Sequence, residues 1–456
     1  MLTRIEIDGF KTFRRFALDV RPFNVIAGAN ASGKSNLFDA IQFLSRLAQS
    51  DLRSAASSLR GEPDELFHRA PDGTAVDRME FAVEVLVEPT VRDPWGQVHE
   101  LIQTRIRYEV CLERREERGL ERLYVRREAA RPIRASADAW AGPYKKERLY
   151  PITSRLRYNR QAELLDTKNA GGEAAFRIGQ DGNAGRQRPA VAAEATVLSS
   201  ITSAEFKHLF ALREELRSWR FLQLDPAGLR TSVDQHAPER LEPSGWNLAA
   251  VLARLRAETR TKEDDQGVLT DLSASLAHLV PGITGVTVRE DLSERKWQAS
   301  IRSRASGEFS SRVASDGTLR LLALITALTD PRFGGLVCFE EPENGVHPAR
   351  IRPLIEHLRE LVAGEDESQD ADNDQAPLLQ LILTTHSPVV VATLRPGEGI
   401  FFESATSLPG NGTAGDVMTK ARVMRREIQQ TLEPQEVGDV VTHGEVQRYL
   451  ATVEAG

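Results

Sequence analysis

Residues 28–35, GANASGKS, sit between an apolar run, FNVIA (23–27), and a helical pattern that starts with NLFDAIQFL. The octapeptide fits G-x-x-x-x-G-K-[ST] at every fixed position. Its glycines let the backbone curl until successive N–H groups converge on phosphate oxygens. Lys34 would reach the β- and γ-phosphates, and the Ser35 hydroxyl would hold Mg²⁺. The helix that follows adds its positive N-terminal end and places Leu37, Ile41 and Leu44 on one face. Strand, glycine loop and helix in that order confine the chain to an α/β fold with a buried parallel sheet. Lys34 is one of only two lysines in the first hundred residues.

A phosphate loop of this kind needs a carboxylate on a neighbouring strand. GGLVCFEEPENGVHP (334–348) supplies one, because the apolar run Leu336–Phe339 ends in Glu340 and Glu341. Glu340 would help hold Mg²⁺, and Glu341 would orient or deprotonate an attacking water. Two solvated glutamates at a strand end are the plain alternative. Pro342 and Gly345 force a turn, in which His347 either closes the turn or faces a partner. The next apolar run, LLQLILTTHSP (378–388), ends in His386, either a satisfied residue at the strand end or, following the loop and the carboxylate strand in order, a sensor of the γ-phosphate. Upstream, RVASDGTLRLLALITALTD (312–330) reads as a helix capped by Ser315, with Asp316 and Gly317 in its first turn. That end is either a plain cap or a second anion site, one that serves the phosphate of another copy.

Together these motifs resemble an ABC-type ATPase head. GANASGKSN resembles its Walker A, ASDGT its signature, LVCFEE its Walker B, ENGVHP its D-loop and TTHSP its switch histidine. Asn30 and Asn36, with SDGTLR, EEPENGVHP and the opening IEIDGFKTFRRFALDVRPFNVIAGAN, point to the SMC/RecF/OLD branch. The resemblance implies a P-loop NTPase head: a mixed or parallel core sheet, an antiparallel β subdomain and a helical lobe. It implies ATP and Mg²⁺ as cofactors and a homodimer that sandwiches two ATPs. Gly28, Asn30, Ser32, Gly33, Lys34, Ser35 and Asn36 of one chain would then hold a nucleotide that Ser315 and Gly317 of the other complete. Ser35 and Glu340 would hold the metal, and Glu341 and His386 would serve catalysis. It further implies DNA as a partner, in repair or phage defence, with a separate effector or nuclease. The sequence departs from the pattern at Glu340, where aspartate is usual, and at Asp316-Gly317-Thr318 in the signature. No Q-loop glutamine is assignable.

The expected organisation is an N-terminal half with the β subdomain (1–194), a helical lobe with return strands (195–310), a signature and Walker B half (311–405) and a helical closure (406–456). MEFAVEVLVE (79–88), LIQTRIRYEVCLE (101–113) and ERLYVRREAA (121–130) alternate like strands. Residues 165–193 read as loops or a short hairpin, and 363–377 as an acidic loop. Residues 194–222 and 247–280 look helical. Arg105, Arg107, Arg114, Arg115, Arg126 and Arg127 make a locally basic region, either the solvated face of a sheet or a nucleic-acid surface. No heptad is sustained across the middle. About 70 residues follow His386, too few for the TOPRIM domain that OLD-type nucleases carry there.

Composition narrows the setting. No apolar run approaches a membrane span, and the N-terminus lacks signal-peptide character. Two cysteines in 456 residues exclude a disulfide framework and fit a cytoplasmic setting. The net charge of −7 argues against wholesale nucleic-acid coating. An ATP-gated sensor or clamp with little turnover stands beside the ATPase expectation, and a transporter ATPase subunit ranks behind both.

Overall fold

The computed structural model describes the chain except residues 148–149, 161, 171–172, 180–184, 292, 333, 364–377, 407–415, 426–439 and 455–456. The acidic stretch expected as a loop falls almost wholly outside the described residues.

Seven strands build the central sheet. In chain order they are β1 (Phe23–Ala27), β2 (Arg220–Leu222), β3 (Gly335–Glu340), β4 (Leu379–Thr385), β5 (Gly399–Thr406), β6 (Val417–Arg425) and β7 (Val440–Thr442). Their order across the sheet is β2-β3-β4-β1-β5-β6-β7. From β2 to β5 the neighbours are parallel; β6 runs antiparallel to β5, and β7 parallel to β6. β1, β3 and β4 are apolar at consecutive positions because both faces of the sheet are covered. Ile26, Leu336, Cys338, Ile382 and Phe402 enter one core. Val25, Val337, Phe339, Leu383 and Phe401 enter the other.

The first core is closed by helix α1 (Lys34–Leu47) and an eight-stranded sheet that includes Leu2–Asp8, Arg78–Leu86, Arg105–Glu117 and Leu120–Pro132. The last two form a long antiparallel hairpin whose turn, Arg118-Gly119, has positive φ at both residues, as a tight two-residue turn requires. The stretch expected as loops or a short hairpin adds three strands to this sheet: Leu165–Ala170 and Glu173–Ile178 pair antiparallel, and Arg186–Pro189 pairs with the second of them. The six arginines of the basic region are all paired with carboxylates. Arg105 meets Asp138, Arg107 meets Glu6, Arg114 meets Asp77, Arg115 and Arg126 both meet Glu113, and Arg127 meets Glu109. Arg105 is fully buried with Asp138; for the other five, which are partly exposed, the solvated sheet face is the reading that fits, since little positive charge is left for phosphates.

The second core is closed by helix α2 (Asp316–Thr329), helix α3 (Pro348–Ala363) and helices Leu248–Thr259 and Leu269–Leu279. A small antiparallel sheet, centred on Ile283–Asp291 and Lys296–Ser303, packs beside them. Two expectations change. Within 194–222, Lys207–Ser218 is helical, but Arg220–Leu222 is the edge strand β2. The C-terminal closure is only partly helical: β6 and β7 extend the sheet, and His443–Glu454 alone is a helix among the described residues.

Candidate functional site

The loop leaves the C-terminal end of β1 and closes onto α1. Gly33 caps the helix at φ 98°, a conformation that glycine adopts without strain, and Ala31 is also left-handed at φ 61°. Lys34 is buried, and its Nζ donates to the carbonyls of Gly28 (2.6 Å) and Ala29 (2.8 Å). Burial pulls its ammonium below the ordinary lysine range, partly offset by Glu341, Glu340 and Glu343, so all three carboxylates act on it. Ser32 Oγ is buried with no hydrogen-bond partner among the described residues, while Asn30 is exposed at the loop tip. Asn36 departs from its expected role. Its amide donates to Thr12 Oγ1 (3.0 Å), behind the loop. Thr12 Oγ1 in turn lies 2.8 Å from Thr419 Oγ1, which donates to the Ser32 carbonyl (3.1 Å). A Cβ at Gly33 would lie 2.1 Å from Thr419 Oγ1, so the C-terminal strand β6 presses directly on the loop.

The carboxylates arrive from β3. Ser35 Oγ donates to Glu340 Oε1 at 2.7 Å. Glu341 lies just past the strand at φ 51°, a left-handed conformation rare for glutamate and characteristic of constrained sites. Its Oε2 accepts from Asn344 Nδ2 (2.6 Å), and its Oε1 lies 3.1 Å from His386 Nδ1. A carboxylate can only accept, so Nδ1 carries the proton of that bond. Glu343 was not anticipated. It is buried, accepts from the Thr385 hydroxyl, and keeps Oε2 unpartnered among the described residues. Burial pushes its carboxyl up, and Glu341 adds to the rise. The signal was present in the sequence as a third carboxylate two positions after Glu341, across Pro342. His347 accepts from the Ala349 N–H (3.2 Å) and acts as a turn residue at the start of α3.

Ser315 caps α2 as expected. Its Oγ accepts from the Thr318 N–H (3.3 Å) and lies 2.7 Å from Thr318 Oγ1. Asp316 is paired with Arg230, which also donates to the Ala314 carbonyl (2.8 Å). Gly317 packs against Gly345 of the turn after Glu341, and a Cβ there would lie 2.2 Å from the Gly345 carbonyl oxygen. Ser315 and Asp316 are exposed, Gly317 is buried, and no hydrogen bond among the described residues joins this end to residues 28–36. The structure thus gathers Gly28, Ser32, Gly33, Lys34, Ser35, Glu340, Glu341 and His386 in one place and sets Ser315 and Gly317 apart.

A family described as "AAA domain, putative AbiEii toxin, Type IV TA system" matches residues 153–392, more than half of the chain. The chain belongs to this AAA domain family. The AAA match takes in Ser315, Gly317, Glu340, Glu341 and His386, while the loop falls in a second match, to the RecF/RecN/SMC N-terminal domain over residues 1–59. The AAA domain here is thus of the ABC-type, SMC/RecF-like kind, as its motifs led one to expect. No curated protein matches the chain. Among solved structures, an Smc head bound to the C-winged helix domain of ScpA is 12% identical, covering 92% of this chain and 98% of its own, with a TM-score of 0.48. An Smc head with a coiled coil and joint from Pyrococcus yayanosii is 12% identical over 99% of each chain, with a TM-score of 0.47. An SMC head from Thermotoga maritima is 12% identical over 92% and 98%, with a TM-score of 0.34.

Proposed function

We propose that this chain is an ATPase whose copies close in pairs on ATP. One observation carries the reading: Ser35 and Glu340, 305 positions apart, share a 2.7 Å hydrogen bond, with Lys34 and Glu341 beside them. The residues suit a Mg·triphosphate. Ser35 and Glu340 offer hard oxygen ligands to Mg²⁺, and the orphaned Ser32 hydroxyl and Lys34 offer hydrogen-bond donors to phosphate oxygens. Bound Mg²⁺ would supply charge compensation for the phosphates. Glu341 would accept the proton of the attacking water, while Asn344 and His386 aim its two oxygens. Ser315, exposed at the start of α2, would meet the nucleotide of a second copy.

The setting we infer is cytoplasmic, with DNA as the substrate and a separate effector or nuclease as partner. The family description, which mentions a toxin of a Type IV TA system, favours defence over repair. A second reading, an ATP-gated clamp with little turnover, is favoured by one observation: both Glu341 oxygens are already engaged. The Glu341→Gln variant separates the two. The ATPase reading expects wild type to release phosphate from Mg·ATP and the variant to lose roughly a hundredfold or more of that rate. It also expects ATP-dependent dimers of the variant in size-exclusion chromatography with light scattering. If wild type binds ATP and releases no phosphate, with or without DNA, the clamp reading replaces it. If calorimetry detects no ATP binding, both fall.

A further inference from the structure

The end of the central sheet opposite Glu340 and His386 holds a cavity of about 450 Å³. It opens where β2 and β3 begin, and Arg92, Arg217, Arg220, Arg240 and Arg332 line it. Three glutamates share the lining: Glu88, Glu214 and Glu215. Glu88 is engaged by Arg155, and Glu214 by Arg217. Arg332 is taken up by Glu239 and Glu258. Arg92 and Arg240 form no ion pair among the described residues. Arg220 is largely buried; burial first, then Arg240 and Arg254, pull its guanidinium down to about 10, against the opposing pull of Asp330 and Glu242. Arg92 and Arg240 are thus the cavity's two guanidinium groups outside any ion pair among the described residues, and an anion entering there would be attracted to both.

One wall of this cavity is Thr90–Arg92, the first strand of a two-stranded hairpin whose second strand is Val98–Glu100. Its tip presents Trp95, 78% exposed. The turn beneath it is well satisfied. Asp93 Oδ1 accepts from the N–H groups of Trp95 (3.0 Å) and Gln97 (2.9 Å), and its Oδ2 lies 3.1 Å from His99 Nε2. Gly96 takes the φ of 87° that the turn requires. Arg92 Nη1 donates to the Gly96 carbonyl (2.9 Å), tying a cavity-lining arginine to the turn that carries the indole. A hydrogen-bonded turn that holds a tryptophan in water beside Arg92 and Arg240, neither of them in an ion pair among the described residues, has the makings of a stacking platform next to a phosphate groove.

We propose that a single-stranded nucleic-acid segment binds here, its phosphates in the arginine cavity and a base on Trp95. This deepens the reading of DNA as the substrate but does not depend on ATP binding, because none of these residues touches the phosphate loop. It also places the strand away from the arginines of the long hairpin, which are already paired.

The test uses the full chain without nucleotide and a fluorescein-labelled oligothymidine of 20 residues, followed by anisotropy at several salt concentrations. Wild-type binding should weaken steeply with salt. Trp95→Ala should lower affinity roughly tenfold with the salt slope unchanged. Arg92→Ser with Arg240→Ser should reduce the slope of log K against log salt by about 1.4, which is about 0.7 for each lost phosphate contact on a single strand. Melting temperature and phosphate release should stay at wild-type values in all variants. Absence of salt-dependent binding by wild type would overturn the proposal, as would equal affinity across the variants. Polyglutamate binding as tightly as the oligonucleotide, and indifferent to Trp95→Ala, would also overturn it, in favour of an acidic peptide.

Discussion

At the scale of single residues, the loop depends on side chains that never approach a phosphate. Thr419 bridges Thr12 and the Ser32 carbonyl, and Asn36 completes the brace from α1. Thr419→Val keeps the shape and removes the hydroxyl. Losing bonds worth about 1 kcal/mol should weaken ATP binding roughly fivefold by isothermal calorimetry, with the fold intact. Glu128 carries a second prediction. It is buried and accepts from the N–H groups of Val197 (2.6 Å) and Leu198 (2.9 Å) and from Tyr108 Oη (3.0 Å). Burial outweighs these donors and pushes its carboxyl up to about 7, from an ordinary 4.5. The folded chain therefore holds a proton that the unfolded chain releases. The resulting stability is complete below about 4.5 and is lost as pH rises through about 7. The melting temperature should fall between pH 6 and pH 8, and Glu128→Gln should flatten that fall in thermal melts across the same buffers.

At the scale of elements, the contact between α2 and the turn after β3 is made glycine to glycine. Gly345 sits at φ 80°, and the Cα of Gly317 would lie 3.1 Å from any Cβ built on it. Gly317→Ala should thus lower the melting temperature by several degrees before any partner is considered, because the obstacle is backbone and cannot swing aside. A loss of activity in that variant would say little about contact with a second copy. Ser315→Arg is the cleaner probe. It costs the cap bond from Thr318, about 1 kcal/mol, so the monomer should melt slightly lower than wild type, while ATP-dependent pairing fails altogether in light scattering. Turns and caps of this kind were readable in advance. The Ser315 cap, the loop after β1 and the bend at Pro342 each follow from local chemistry that a few adjacent residues declare.

For the whole molecule, what could be read from the sequence follows burial. β1, β3 and β4 announce themselves as unbroken apolar runs because helices and sheets cover both their faces, and they bring Lys34, Glu340, Glu341 and His386 together as expected. Edge strands lack that signature. β2 is three residues long with Arg220 at its start, and Arg186–Pro189 is exposed throughout, so both pass for helix or loop when read alone. Thr12 and Thr419 are invisible for another reason: single hydroxyls some four hundred positions apart leave no local pattern. The basic hairpin left two readings open for the same reason, since the carboxylates that neutralise its arginines lie partly outside it, at Glu6, Asp77 and Asp138. One feature of this assembly reaches beyond the finished molecule. The shelf under the glycine loop is supplied by Thr419, 387 positions after Ser32, so a ribosome must deliver all of that length before the loop is shored up. Polypeptides released between Glu341 and Thr419 would carry the loop and both acidic residues yet grip nucleotide poorly, leaving such truncated products inert.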